Sequence, residues 1–155
     1  MGINRPDHVA VGSRGRGFWV VSAVAGFDAG LKAWYAAAAP LVALTNGMWP
    51  DFAPDRGASG PALPYITYQI TGNVPDNSMT QTVDDIYVTF HIRSGDISPI
   101  EVDTIFTAFI TAFDEAAIPI IGWTTVRFDR VGGSRAKDAD GGWVWIVNYK
   151  WHVQQ

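Results

Sequence analysis

The chain has 155 residues, the size of a single domain that buries roughly 70% of its unfolded surface and needs no metal or disulfide to fold. It contains no cysteine, which excludes structural disulfides, thiolate metal sites and cysteine nucleophiles. Its formal charge of −4, from 11 basic and 15 acidic side chains, disfavours a protein that grips nucleic-acid phosphates, though not a surface that DNA merely passes.

Residues 1–26 are expected to be an N-terminal arm or extension. The stretch to Gly17 is rich in glycine and arginine and has no sustained period. No apolar run approaches the roughly 20 residues that span a bilayer. The longest, around FWVVSAVAG, is too short and glycine-broken for a secretory signal even with Arg14 and Arg16 beside it. No membrane partner and no export by this route are expected.

A single domain is expected over residues 27–155. From Phe27 to Ala39, Phe27, Leu31, Trp34 and Tyr35 recur at helical spacing with alanines between them. Pro40 interrupts, a short helical turn follows, and Asn46-Gly47 stops it. MWPDFAPDRGASGP reads as a surface connection with a brief extended piece around Met48 and Trp49. Pro64 then launches a strand, with Ile66, Tyr68 and Ile70 on one face and Tyr65, Thr67, Gln69 and Thr71 on the other. After a polar loop comes a second strand, with Ile86, Val88, Phe90 and Ile92 facing one way, so the two make an antiparallel hairpin.

The main helix is predicted over Pro99 to Ala116. Ser98 and Glu101 are spaced as a capping box, Pro99 takes the first helical position, and Val102, Ile105, Phe106, Phe109 and Phe113 form one apolar stripe. Two closing strands, Ile121–Val131 and Trp143–Val153, flank a long glycine-rich tip. The order helix, hairpin, helix, hairpin predicts an α+β domain: an antiparallel-rich sheet of four to five strands with two main helices packed on one face. In the last strand Val144 and Ile146 fall on the nominally outer face, as does Tyr65 in the first. Either the chain covers both faces or a neighbouring subunit does. With two main helices the neighbour is the better account, which makes Tyr65, Val144 and Ile146 candidate interface residues.

Little in the sequence points to catalysis. His8, His91 and His152 fall in the arm and in two separate strands, without the spacing of a metal site. A sheet that brought His91 beside His152 is the alternative to two ordinary strand positions. Asp84-Asp85 precede a strand and Asp114-Glu115 end a helix, where carboxylates are mostly solvated; acid–base work needs a pocket that drives their pKa values apart. No phosphate loop, dinucleotide fingerprint or nucleophile elbow occurs. The scattered tryptophans read as buried anchors or interface residues rather than a stacking platform. No catalytic residue, cofactor or metal is expected.

Several features stand in a telling order: the alanine-rich LKAWYAAAAPLVALTNG, a Pro/Gly loop, ALPYITYQ, a strand ending YVTFHIRS, a capped helix and a closing strand pair. Together they resemble the tail completion, or tail terminator, proteins of long-tailed bacteriophages, including the tail-to-head joining proteins. The resemblance spans Phe27 to Val153 and is most specific at Ala62–Gln69; nothing in the arm matches. It implies a structural virion protein, not an enzyme, made in the host bacterial cytoplasm. Its copies would form a six-fold ring at the head–tail junction that caps the tail tube, stops its growth and meets the head-side connector or stopper. DNA would pass through the lumen unread, and an acidic wall would let it slide. The alternatives are another neck ring, an adaptor or stopper, and, from a different class, a small hydrolase or ligand-binding domain using His91, Arg93 and carboxylates on the sheet face. In the ring reading two mobile tips, Asn73–Thr80 and Gly132–Gly142, dock on the tail tube or connector through Asn73, Asp76, Arg135, Lys137, Asp138 and Asp140.

Overall fold

The computed structural model describes residues 23–51, 62–75 and 81–155. In chain order the elements are helices α1 (Ala23–Ala37) and α2 (Ala39–Leu44), strands β1 (Met48–Pro50), β2 (Tyr65–Pro75) and β3 (Val83–Ser94), helix α3 (Ile100–Phe113), and strands β4 (Thr124–Lys137) and β5 (Trp143–Gln154). The strands form one sheet in the order β1-β2-β3-β5-β4. Only β1 and β2 run parallel; the other pairs are antiparallel. With the helices on one face, the domain is the α+β architecture that the pattern of elements predicts.

The core lies between the helices and one sheet face, and the two-residue period decides which strand side chains enter it. Ile86, Val88, Phe90 and Ile92 of β3 and Val147, Tyr149, Trp151 and Val153 of β5 are at most 1% exposed. The helices contribute Phe27 and Leu31 of α1, Leu41 of α2, and Val102, Ile105, Phe109 and Phe113 of α3, the last four at three- and four-residue spacing. Phe90 sits at the centre, its ring centroid 5.0 Å from that of Phe109 and 5.7 Å from those of Phe113 and Tyr149. Phe106, the remaining member of the expected stripe, is half-buried and stacks on Trp145 at 4.1 Å.

Element ends depart from expectation in several places, and residues 121–123, expected to open the fourth strand, form a turn before β4 begins at Thr124. Residues 23–26, expected in the arm, are part of α1, while residues 1–22, including His8, lie outside the described residues. The capping box at α3 does not form: the helix starts at Ile100 with Pro99 at the cap position, and Ser98 Oγ accepts from the Ile100 N–H. Glu101 instead accepts from the hydroxyl of Ser94, which is 2% exposed and needs a partner, so the carboxylate ties the end of β3 to the first turn of α3.

Two further departures lengthen strands. β2 continues through Asn73 to Pro75, which pairs with Asp84. Proline is tolerated there because β1 pairs β2 only from Ile66 to Tyr68, and the rest of β2 is a sheet edge. β4 runs to Lys137, well past the expected end at Val131, which leaves only Asp138–Gly142 as the tip. Gly132 and Gly133, read as turn residues, lie inside the strand: Gly132 at a register shift, and Gly133 where a Cβ would come within 3.3 Å of the Ile146 carbonyl.

Candidate assembly surface

On the outer sheet face, away from the helices, charges are neutralised within the chain. Asp85 of β3 accepts from Lys150 at 2.7 Å and His152 at 2.6 Å, both on β5. Burial pushes the Asp85 carboxyl up, but its bonds to Lys150 and His152 together outweigh that and hold it below the usual carboxylate range. The bond to Asp85 in turn raises Lys150. Further along, Thr89 donates to Asn148 at 2.8 Å and Arg93 pairs with Asp138. Burial, and then the Arg93 charge, push the His91 imidazole below its usual range, with Asp138 partly opposing them. The sheet does not join the two histidines: His152 is paired across from Asp85, and His91, six residues on, lies about 20 Å away along β3 at ~3.3 Å per residue.

The apolar residues of this face are partly covered by the chain itself. Tyr65 meets Trp49 edge-on at 5.9 Å, Val144 is 7% exposed, and Ile146 is half-buried.

The β4–β5 hairpin is pinned to α3. Arg135 pairs with Asp103 of α3, which also accepts from the Trp145 indole at 2.7 Å. The Trp143 indole donates to the Ile97 carbonyl at 2.8 Å, and Arg135 and Lys137 lie 5.2 and 5.9 Å from the Trp143 ring centre. Arg130 pairs with Asp114 at 3.1 Å and lies over Phe106. Of the residues expected in docking loops, Asn73, Arg135 and Lys137 are therefore in strands, and Arg135 and Asp138 hold partners within the chain. Asp140 is exposed in the tip turn, and Asp76 lies outside the described residues. The free edge of β4 is blunted by two register shifts and by Arg127, Arg130, Arg135 and Lys137, which protect it from indiscriminate strand pairing.

Asp84, Asp85 and Asp114 are held within the fold, whereas Glu115 is exposed, as expected of a helix-end carboxylate. Asp84 is 8% exposed. Asp114 accepts from the Tyr149 hydroxyl at 2.6 Å, and burial followed by that bond drives the phenol far above its usual range. Among the described residues no group of three or more His, Asp and Glu side chains gathers as a metal site would need. Nor, among them, is any helix long and apolar enough to cross a membrane.

The helix layer carries a different surface. Between the end of α1, α2 and α3 runs a groove of about 720 Å³, walled by Trp34, Pro40, Leu41, Leu44, Thr107 and Ala108 among others. Its floor is fixed by the Trp34 indole donating to the Ala112 carbonyl at 2.8 Å. Thr104, Thr107 and Thr111 also line it, yet each hydroxyl donates to the carbonyl four residues back at 2.8 Å. These donors are already satisfied within the helix. Val42 and Leu44 remain 39% and 38% exposed on α2, and no charged residue lines the groove.

Residues 30–154 match the family model described as tail completion protein gp17. The chain belongs to this tail completion family. Its fold is similar to that of a chain in a solved structure titled "Virion of native gene transfer agent (GTA) particle", with a TM-score of 0.74 and 13% identity over 87% of this chain and 99% of that one. No individual curated protein matches it.

A tail completion protein is a structural component of a phage tail, so its working parts are surfaces that match other proteins. Sequence reasoning offered the outer sheet face as such a surface and did not anticipate the groove between the helices. Three threonines on α3 look polar until their back-bonding is seen. The available signal was the absence of charge: none occurs in residues 33–50 or 104–113.

Proposed function

We propose that copies of this chain close into a ring, six to a turn, at the head-proximal end of a phage-type tail. The ring ends the tail tube and joins it to the head-side connector or stopper. The observation that carries this reading is an open, uncharged groove on a member of the tail completion family, a surface that calls for a protein partner rather than water. The acidic balance suits a lumen through which DNA passes without being gripped or read. Tyr65 and Ile146, half-exposed on the outer sheet face, form a second and smaller contact between subunits. The exposed Lys137 and Asp140 beside the β4–β5 turn, and the exposed Asn73 near the end of β2, meet the tube and the connector. The protein is made in the bacterial cytoplasm and resides at the head–tail junction of the virion.

The test is assembly without the protein. Its loss should give filled heads and unjoined tails of uncontrolled length, and the purified protein should restore both length and joining. Tails of normal length that fail only to join would favour the adaptor or stopper reading. Normal particles would remove the assignment altogether.

A further inference from the structure

We infer that the subunit contact is a knob in a groove: the turn carrying Ile121 in one copy seats in the α2–α3 groove of the next. The inference rests on the ring reading and specifies how such a ring closes. Ile121 is 88% exposed, the highest value for a large apolar side chain among the described residues, ahead of Ile97 at 85% and Ile100 at 72%. It stands at the tip of a turn in which the Trp123 N–H donates to the Ile120 carbonyl at 3.1 Å and Gly122 takes a φ of +80°.

The turn is braced from below. Ile118, Ile120 and Trp123 are buried, and the segment lies in a notch on α1 made by two glycines. A Cβ on Gly26 would come within 2.6 Å of Ile120 Cγ2, and one on Gly30 would collide with the Pro119 carbonyl oxygen. Ile121 is thus held outward on a rigid support, which lowers the entropy lost when it docks.

Knob and groove match in charge. Residues 116–126 contain no charged side chain, like the two stretches that line the groove. An acidic or phosphate-bearing partner would find no cation there. Within one copy the two features are distinct: Gly26, beside Ile121, and Trp34, where the groove begins, are eight steps apart on α1, about 12 Å at ~1.5 Å per residue. Two different patches on one chain make a heterologous contact, the kind that generates a ring when the rotation closes.

The native chain has no cysteine, so paired thiols provide a clean test. Ile121→Cys mixed with Thr107→Cys should form a disulfide dimer under mild oxidation, in purified protein or in assembled tails, while either variant alone should not. Ile121→Asp and Thr107→Arg, both at exposed positions, should each keep the native melting temperature and weaken self-association at least about tenfold, as expected of an anchor at an interface centre. Rings that persist in both charged variants, with no cross-link, would overturn the knob-in-groove contact and leave the ring reading standing. Loss of rings in Thr107→Arg but not in Ile121→Asp would overturn it too, by giving the groove to another segment such as residues 1–22. No ring from the unmodified chain in either setting would overturn the ring reading itself.

Discussion

On the outer sheet face, Asp85, Lys150 and His152 satisfy one another, and Arg93 is matched by Asp138. On the helix layer, the groove wall carries no charge and its threonine hydroxyls are bonded to their own helix. The first surface is complete in a single copy, and covering it would strip water from ion pairs with little return. The second gains when covered, at about 25 cal/mol for each Å² of apolar surface removed from water. Polarity alone therefore does not distinguish a surface that is complete in one copy from one that would gain by being covered. What matters is whether their polar groups already have partners.

The largest expected effect lies beneath both surfaces. Phe109→Ala empties a fully buried site between Phe90, Phe113 and Tyr149, and should cost about 3–5 kcal/mol in a thermal or denaturant melt. A smaller loss would mean that the helix layer and the sheet do not share this core. Next, Trp145→Ala removes the stack on Phe106 and the bond to Asp103, and should cost about 2 kcal/mol. Hydrogen exchange should then quicken along residues 131–137 and leave the groove unchanged, separating the pinned hairpin from the helix layer.

Most of the fold was legible because its signals are local. Alternation in β3 and β5 and the stripe on α3 name the centre of the core, about half of its buried residues. The strand ends were not, because Pro75 and Gly132-Gly133 carry the same letters in a turn, an edge strand or a bulge, and only the neighbouring strand decides among them. The surface was legible only in part for a similar reason. Val144 looks like an exposed apolar residue until the folded chain covers it, and Thr107 looks polar until its hydroxyl turns inward. Ile121 was assigned to a strand, so its projection from a turn had no sequence signal beyond Gly122 after it.

Substitutions on the two surfaces bear directly on their difference. Thr104→Lys and Ile146→Lys should both leave stability within about 1 kcal/mol. Sedimentation should show Thr104→Lys blocking self-association strongly and Ile146→Lys only weakening it. The reverse order would make the outer sheet face the main contact.

The smallest effect is a response to acid. Asp85 has a folded pKa below its unfolded value of about 3.9, so its contribution is fully present above that pH and is lost as pH falls through the folded pKa. His91 has a folded pKa below about 6.5, so acidification from there downward protonates the unfolded chain first and also lowers stability. Asp85→Asn should flatten the lower limb of a stability–pH profile and His91→Gln the upper one, while a groove variant should change neither.

The most direct measurement is a cryo-EM reconstruction of the head–tail joint of a particle containing this protein. The expected result is a single six-fold ring between tail tube and connector, with the α2–α3 groove of each subunit filled by its neighbour and the Asp85–Lys150–His152 face left in water. Density for the protein elsewhere in the particle, or a ring whose grooves stand empty while the outer sheet faces are buried, would contradict it.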